Sequence, residues 1–538
     1  MSIALITLNA SYNHSSLSLR TLHQALRDNG LDAVRIEGTI KDKRLAVLSR
    51  LYDEAADIYA FSCYLWNKRE LEELAQKIKA LRPEATVLFG GPEVSFLDEE
   101  YFHTHPYVDL ILSGEGEELL PALCREILKD GRDAVLSRGR IRVASRFEGF
   151  SSSPFPLKED PIERPIAYYE SSRGCPYACA YCLSSIERGV RAKPVETVLE
   201  ELSFFEEMKQ VKIVKLVDRT FNFDGKRARA IWRGLLSERY TKTYHFEICA
   251  ELIDNETLDL LRRFPKGKIQ LEAGVQSTHA PTLEAVDRKG SIKGCLENLK
   301  RLKALGNIHI HADLIAGLPK ESLTEFRHSF DDVYPVCHQL QLGFLKLLRG
   351  SPLADKKEEY RLVTSETPPY EVLKTADLSF EELRLLHRIE AVLERFGNSG
   401  SFAYTMEAVE RRIASPFDFW RSLAEELPSS LDGLSQRRCF ELLKEHCRPL
   451  FSPDDLPELS ARLRIDFYRT EAGSCPPFLN NAEELNVLPA SKAMALFRAG
   501  KKGQALSTEV HRFSFDKDAF YVIDRKEKTV TRIEAALS

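Results

Sequence analysis

Over the first 130 residues, short apolar runs typical of buried strands alternate with segments in which apolar residues recur at helical spacing. The helical segments are Ser16–Asp28, Leu45–Leu51, Lys68–Leu81 and Glu117–Leu128. Five β/α units in a row predict an open, doubly wound parallel sheet with helices on both faces. The predicted buried strands are Ser2–Leu8, Ala33–Ile36, Ile58–Cys63, Thr86–Phe89 and Leu110–Leu112.

A second β/α series follows a break in the pattern. Residues 140–165 contain Ser151–Ser153 and then Pro154, Pro156, Pro161 and Pro165, which is typical of a linker. Six strand-and-helix units then predict a full or partial (β/α)6 barrel over residues 166–354, whose chemistry would lie at the carboxyl ends of its strands. Its predicted strands are Ile166–Glu170, Lys212–Val217, His245–Ala250, Lys268–Ala273, Ile308–Ile315 and Gln339–Leu347.

The remaining residues, 355–538, are predicted to form a mainly helical accessory domain. Ser379–Phe396 is an amphipathic helix that Gly397 is placed to end. Helical spacing continues through Pro416–Leu427 and Arg437–His446, and Ala519–Ile523 with Thr529–Ile533 predicts a β-hairpin. The predicted organisation is therefore a doubly wound domain (1–139), a linker (140–165), a barrel (166–354) and a helical domain (355–538).

Charge and composition narrow the classes of partner. The 538 residues are 43% hydrophobic and 29% charged, which is typical of a globular protein. A net charge of -5 gives no whole-surface attraction to nucleic acid or to an anionic membrane. The apolar start, Met1–Ala10, lacks a basic lead and a cleavage site, and no apolar run reaches the ~20 residues that span a bilayer. We expect a cytoplasmic protein with no membrane or nucleic-acid partner.

The spacing of three of the eleven cysteines indicates a metal site. Cys175, Cys179 and Cys182 follow the first barrel strand as C-x3-C-x2-C, and thiolates in this density bind zinc or an iron–sulfur cluster. Zinc needs a fourth ligand; no histidine lies between His105 and His245, so a distant residue such as Cys249 would supply it. A cubane on three cysteines instead leaves one iron open to a small molecule. The other eight cysteines are expected to be small buried side chains: Cys63, Cys124, Cys249, Cys295, Cys337, Cys439, Cys447 and Cys475.

The barrel segment resembles the radical SAM superfamily, whose signature is C-x3-C-x-aromatic-C with Tyr181 here as the aromatic residue. Lys215–Asn222, Glu272–Ser277 and Asp313–Pro319 resemble, in order, an acidic strand end, E-x-G-x-Q-S and D-x-I-x-G-L-P of that superfamily. The resemblance implies that the three cysteines hold a 4Fe–4S cluster. It also implies contacts to S-adenosylmethionine (SAM) from Tyr181, Asp218, Glu272, Gln276, Asp313 and Ile315.

Each of these residues also has a purely structural interpretation. Asp218 could cap a helix, and Gln276 could occupy a turn. Glu272 lies on an alternating strand, so its side chain could face into the barrel or away from it.

The first domain resembles the cobalamin-binding domain, Rossmann- or flavodoxin-like in fold, that precedes the barrel in cobalamin-dependent radical SAM enzymes. The resembling segments are Ser62–Asn67, Phe89–Glu93 and Asp109–Glu117. The resemblance implies cobalamin contacts from Ser62, Gly90, Gly91, Glu115 and Gly116.

The residues of this domain leave alternatives open. The D-x-H-x-x-G motif, which supplies an axial histidine to cobalt in other corrinoid proteins, is absent, so His14 is either an axial ligand or an ordinary loop histidine. The fold could also persist without its cofactor. Methylthiotransferases, which hold a second cluster on three N-terminal cysteines, are disfavoured because this segment has only Cys63 and Cys124.

The function that the resemblance implies is cobalamin-dependent radical SAM catalysis. A reductant such as flavodoxin or ferredoxin would feed the cluster, SAM would be cleaved to a 5′-deoxyadenosyl radical, and a methyl group would pass to an unactivated carbon of the substrate. One alternative is a cyclisation, rearrangement or oxidation without methyl transfer. Another is a non-catalytic, zinc-stabilised binding protein.

Overall fold

The computed structural model describes residues 2–151, 162–186, 189–428, 430–471, 475–479, 508–511, 513, 515–516, 519–524 and 528–534. Three prolines of the predicted linker, Pro154, Pro156 and Pro161, lie outside these residues. The chain divides into two compact units, one of Met1–His338 with Leu342–Phe380 and one of Gln339–Gln341 with Glu381–Ser538.

The first sheet contains the five predicted strands and one more. The strands are β1 (Ile3–Asn9), β2 (Ala33–Thr39), β3 (Ile58–Ser62), β4 (Thr86–Gly90), β5 (Leu110–Ser113) and β6 (Ile141–Val143). All pairs are parallel, in the order β2-β1-β3-β4-β5-β6. Strand β6 falls in the region predicted as linker; three residues are too short to show a periodic pattern. The order reverses beside β1, and such folds bind ligands at that switch point.

Helices cover both faces of this sheet, as predicted. The main ones are Leu17–Asp28, Arg44–Glu54, Lys68–Leu81 and Gly116–Asp130. Strand β1 supplies both cores, because Ala4, Ile6 and Leu8 pack in one apolar cluster. Ile3 and Leu5 pack in a second cluster on the opposite face. The sheet is thereby held between two apolar layers, one on each face.

The second sheet is the predicted partial barrel. Its strands are β7 (Ile166–Tyr169), β8 (Ile213–Leu216), β9 (Thr243–Ile248), β10 (Ile269–Gln276), β11 (His309–Ala316) and β12 (Gln339–Phe344). They neighbour one another in chain order, β12-β11-β10-β9-β8-β7. Buried and half-buried residues alternate strictly along β10 and β11, so polar side chains share one face. The intervening helices are Val195–Glu207, Gly225–Leu235, Asn255–Leu261, Ala280–Ala285, Ile292–Ala304 and Leu323–Val333.

The second unit is mainly helical, and its predicted hairpin is confirmed. Strands Ala519–Asp524 and Thr529–Glu534 pair antiparallel, and Thr508–His511 adds a third strand. The helices are Phe380–Val392, Ala403–Glu410, Pro416–Glu426, Gln436–Cys447 and Leu456–Thr470. Among the described residues, no helix is long and apolar enough to cross a membrane.

The prediction that Gly397 ends a helix is wrong. The helix continues as a π-helix over Leu393–Asn398 and passes through Gly397. A Cβ at Gly397 would lie 2.9 Å from Leu393 Cδ1 and 3.2 Å from the Trp420 ring. Glycine is therefore needed for close packing and not for a left-handed cap.

Candidate cofactor sites

The loop that carries the three cysteines is anchored at its start by Asp218. This carboxylate is fully buried and accepts hydrogen bonds from Ser171 N (3.1 Å), Ser171 Oγ (2.6 Å) and Ser172 Oγ. Arg227 Nη2 donates to Ser171 O at 2.9 Å from the other side. Burial raises the pKa of Asp218, and the hydrogen bonds from the two serines oppose that shift. Asp218 therefore fixes the loop; it is not among the residues that line the neighbouring cavity.

Gly174 makes the turn into the cysteines possible. Its φ is +95°, and a Cβ there would lie 2.2 Å from Gly189 O. Cys179 is buried, whereas Cys175 and Cys182 are half-buried. In the part of the chain that the structure describes, no three His, Cys, Asp or Glu side chains converge on one point as a single ion requires. A cubane does not require this convergence, because each thiolate binds a different iron.

The three cysteines open onto a cavity of about 220 Å³, here called the cluster cavity. Four predicted SAM residues line it: Tyr181, Glu272, Gln276 and Asp313. Ile315 does not; it packs in an apolar cluster with Tyr181 and Leu347. The structure thus brings together residues from the loop after β7 and from strands β10 and β11, whereas neither Asp218 nor Ile315 is among the residues that line the cavity.

Strand β10 is shaped to point Gln276 into the cluster cavity. The pairing register with β11 shifts between Gly274 and Gln276, and Gln276 has a φ of 73°. A Cβ at Gly274 would lie 2.2 Å from Gln276 Nε2, so only glycine leaves room for this amide. Gln276 Oε1 and Asp313 Oδ1 are buried and have no hydrogen-bond partner among the described residues. Buried polar atoms are rarely left so, and a ligand with polar groups would satisfy both.

The pKa values of two carboxyl groups in the cluster cavity shift in opposite directions. His245 Nε2 lies 2.8 Å from Glu272 Oε2, and this hydrogen bond lowers the pKa of Glu272. Burial and the nearby Glu272 and Glu247 raise the pKa of Asp313 well above its ordinary value. Relative to ordinary carboxyl groups, the cavity favours the charged, accepting form of Glu272 and the protonated, donating form of Asp313.

The structure adds cavity residues that sequence reasoning missed. Arg288 Nη1 lies 3.7 Å from Cys179 Sγ, and Arg288 Nη2 donates to Gly274 O. Tyr177 OH donates to Cys249 Sγ at 3.1 Å, and Cys249 also lines the cluster cavity. No motif distinguishes Arg288 among the 76 lysines and arginines. The sequence predicts Cys249 as a small buried side chain or a zinc ligand, whereas the structure places it, half-buried, in the lining of this cavity.

A second cavity, of about 550 Å³, lies at the carboxyl edge of the first sheet and is here called the corrin cavity. Ser62, Gly90, Gly91 and Gly116 line it, as predicted. Gly91 has a φ of +103°, and a Cβ there would lie 2.6 Å from Cys63 O. Small residues and bare backbone thus form a cradle that side chains would fill. Its apolar lining includes Leu5, Leu19, Leu22, Leu88, Leu112 and Leu120.

Glu115 is not among the residues that line the corrin cavity, and its contact with cobalamin stays a prediction. Glu115 Oε2 accepts from Phe147 N at 2.7 Å and from Arg191 Nη1 at 2.8 Å. Burial raises the pKa of Glu115, but Arg191, Arg173 and the hydrogen bond from Phe147 N together outweigh burial, so the net shift is downward. The carboxylate thus holds the backbone at Phe147 and the side chain of Arg191 together.

His14 lines the corrin cavity, next to a residue of the barrel. Its Nδ1 lies 2.5 Å from Tyr168 OH, and the two rings are stacked at 5.9 Å. Burial and, secondarily, Lys215 lower the pKa of His14, so the imidazole is neutral at pH 7. A role of His14 as an axial ligand to cobalt stays a prediction.

Three family models match successive parts of the chain. A B12 binding domain matches residues 3–124, and the Radical SAM superfamily matches residues 169–333. A family described as "Protein of unknown function (DUF4080)" matches residues 358–511. The fold and the two cavities thus define a class of protein that joins a corrin-binding domain to a cluster-binding barrel. The chain thus carries an N-terminal domain matched by the B12 binding domain and, after it, a domain matched by the Radical SAM superfamily.

Relatives support both domain assignments. The chain is 30% identical over 302 residues to a 2-(S-pantetheinyl)-carbapenam-3-carboxylate methyltransferase from Streptantibioticus cattleyicolor, covering 50% of this chain and 44% of that one. It is 27% identical to the cobalamin-dependent radical SAM methyltransferase TokK from Streptomyces tokunonensis, covering 68% and 55%. The chain therefore spans about half the length of these two curated relatives.

Solved structures show the same fold. OxsB, a cobalamin-dependent SAM radical enzyme solved with aqua-cobalamin and SAM, gives a TM-score of 0.60 at 17% identity, covering 86% of this chain and 78% of that one. TsrM from Kitasatospora setae, solved with cobalamin and a [4Fe-4S] cluster, gives 0.57 at 18% identity, covering 69% and 82%. The domain pair implies a 4Fe–4S cluster, SAM and cobalamin as cofactors, and the residues present fit all three.

Proposed function

We propose that this protein is a cobalamin-dependent radical SAM enzyme that transfers a methyl group to an unactivated carbon of its substrate. One observation carries the proposal: a single segment joins the two cavities. Tyr168, Glu170 and Arg173 line the corrin cavity, and Cys175, two residues later, lines the cluster cavity. Cofactors in these cavities would face a common space at the carboxyl ends of both sheets.

Different residues of the cluster cavity would bind the cluster and the parts of SAM. Cys175, Cys179 and Cys182 would hold the cluster and leave one iron open for SAM. The buried, partnerless oxygens of Gln276 and Asp313, the charged Glu272 and the guanidinium of Arg288 supply acceptors and donors for its polar groups. Tyr181, half-buried beside Ile315, offers an apolar ring face to the adenine.

The corrin cavity contributes shape at the edge of the sheet and charge at one wall, where Glu117, Glu170 and Arg173 lie. Gly90, Gly91 and Gly116 let backbone approach the cofactor, and Ser62 offers a hydroxyl. When bound, the reduced cluster would supply the electron that cleaves SAM to methionine and a 5′-deoxyadenosyl radical, and cobalamin would supply the methyl group. The chain itself orients the partners and excludes water. The proposal includes an electron donor such as flavodoxin or ferredoxin and a cytoplasmic location, which the free cysteines of the chain support.

The test is cofactor content followed by product analysis. Protein reconstituted anaerobically with iron and sulfide, and offered hydroxocobalamin, should hold about four irons and one cobalt per chain. It should then release 5′-deoxyadenosine from SAM under a strong reductant. Iron without cobalt would remove the methyl-transfer part and favour cyclisation, rearrangement or oxidation. Zinc without iron would contradict the enzyme assignment and favour a zinc-stabilised binding protein.

A further inference from the structure

An ion-pair cluster connects the cysteine loop to the first domain, here called the loop clamp (Glu115, Glu117, Glu170, Arg173 and Arg191). Arg173 Nη2 lies 2.8 Å from Glu117 Oε1, and Arg173 Nη1 lies 3.4 Å from Glu115 Oε2. Glu170 accepts hydrogen bonds from Arg173 Nε at 3.1 Å and from Arg173 Nη2 at 2.8 Å. Arg191 completes the cluster by donating to Glu115.

The loop clamp is shielded from water. The side chains of Arg173 and Glu117 are 18% and 12% exposed. The guanidinium of Arg173 also lies 4.7 Å from the centre of the Phe150 ring. Ion pairs in such surroundings are screened less than exposed ones, so removal of one partner leaves a charge that water does not readily satisfy.

The position of Arg173 links the loop clamp to both cavities. The backbone of Arg173 is two residues before Cys175, in a loop that Asp218 already holds to the barrel. Its side chain ends at Glu117, in the first turn of the helix Gly116–Asp130, whose start lines the corrin cavity. One side chain thus ties the cluster loop to the wall of the other cofactor's cavity.

We infer that Arg173 is a positioning residue that fixes the corrin cavity relative to the cluster loop. Its charge is taken up by three carboxylates, and Arg173, Glu117 and Glu170 all line the corrin cavity, so the loop clamp forms one wall of that cavity and holds it to the cluster loop. This inference rests on the proposed function, since it concerns the distance between the two cofactors.

The test is a double-mutant cycle. Arg173→Met and Glu117→Gln should each weaken hydroxocobalamin binding, followed by absorbance, by about tenfold or more. If the two residues act through each other, the double variant should bind no more weakly than either single variant. Iron content should remain that of the wild type. Arg138→Met is the matched control, because Arg138 pairs with Asp130 at 2.6 Å on the exposed surface of the first domain.

A second readout separates positioning from a loss of folding. Substrate-free protein with chemically reduced cobalamin is assayed for methyl transfer from SAM to the corrin and, separately, for 5′-deoxyadenosine. Both Arg173→Met and Arg173→Lys should lower the first rate more than the second, with lysine intermediate because it keeps one bond of the fork. Additive effects in the cycle, or equal loss of both rates, would contradict the inference alone. Wild-type protein that binds cobalamin without accepting a methyl group would contradict the proposed function itself.

Discussion

The two cavities of the first unit are built in opposite ways. The corrin cavity is wide, about 550 Å³, and four of its five predicted contacts, three glycines and a serine, line it. The cluster cavity is smaller, about 220 Å³, and its lining includes thiols, carboxyl groups, an amide and the guanidinium groups of Arg219 and Arg288. A large flat cofactor is accommodated by leaving backbone bare, whereas a cluster and a sulfonium ligand are held by donor atoms at fixed places.

This difference decides what a substitution does in each region. In the cluster cavity the side-chain atoms themselves would bind the ligands, so removal of a side chain should abolish binding. In the corrin cavity the space left by small residues would admit the cofactor, so addition of atoms should be the damaging change.

Loss of a cluster cysteine is expected to have the largest effect. Cys175→Ala, Cys179→Ala and Cys182→Ala should each lose reconstituted iron and all 5′-deoxyadenosine formation, because a cubane needs every protein thiolate. Iron analysis and chromatography of SAM products measure both. Retained 5′-deoxyadenosine in any of the three would rule out the assignment of the cluster.

Cys249→Ala is the sharp comparison, since Cys249 lies in the same cavity. A cluster on three cysteines keeps its iron in this variant, whereas a zinc ion on four would be lost. Cys439→Ala, buried in the second unit, controls for removal of a thiol elsewhere.

Addition of one methyl group to the corrin cradle should have the next largest effect. Gly91→Ala places a Cβ 2.6 Å from Cys63 O at a φ of +103°. The backbone must move, at a cost of about 1–3 kcal/mol, and hydroxocobalamin affinity should fall about tenfold. Gly139→Ala has a similar φ, +114°, but nothing lies within 4 Å of the added Cβ. An equal fall in both variants would show that backbone strain alone matters, and not the shape of the cradle.

Removal of one cation from the cluster cavity should weaken SAM binding by a comparable factor. Arg288→Met loses the guanidinium 3.7 Å from Cys179 Sγ, and hydrogen bonds from charged groups contribute about 1.5–3 kcal/mol. Calorimetric titration of reconstituted protein should show SAM affinity lower by about tenfold to a hundredfold. Arg301→Met, on an exposed position of the helix Ile292–Ala304, should bind SAM normally. Unchanged affinity in Arg288→Met would remove Arg288 from the binding site.

The contrast between the cavities also explains what the sequence could predict. Strand positions in both sheets followed from apolar periodicity, and Tyr181, Glu272, Gln276 and Asp313 followed from motifs at strand ends. The motif that contains Asp218 does not reveal that two serines donate hydrogen bonds to its carboxylate. The sequence also does not reveal Arg191 as the partner of Glu115, since the two lie 76 residues apart along the chain. Such long-range partners leave no local pattern.

The smallest expected effect is a pH dependence of stability that arises in the barrel. His311 Nε2 is buried without a hydrogen-bond partner among the described residues, and burial, His309 and His245 lower the pKa of His311 to about 4. In the unfolded chain the imidazole has an ordinary pKa near 6.5. Between these values the unfolded state binds the proton and the folded state does not, so the free energy of unfolding falls as pH falls. His311→Gln should remove this dependence.

The size of this pH effect is modest. From pH 7 to pH 5 the wild type should lose about 1 kcal/mol more than His311→Gln, after a discount for the solvent that reaches part of the ring. Melting temperatures at the two pH values measure the difference. His103→Gln, at an exposed position of the first domain, should show the wild-type dependence. If His311→Gln also keeps it, the imidazole is solvated in the folded protein, and the polar face of the barrel is open to water even before a ligand arrives.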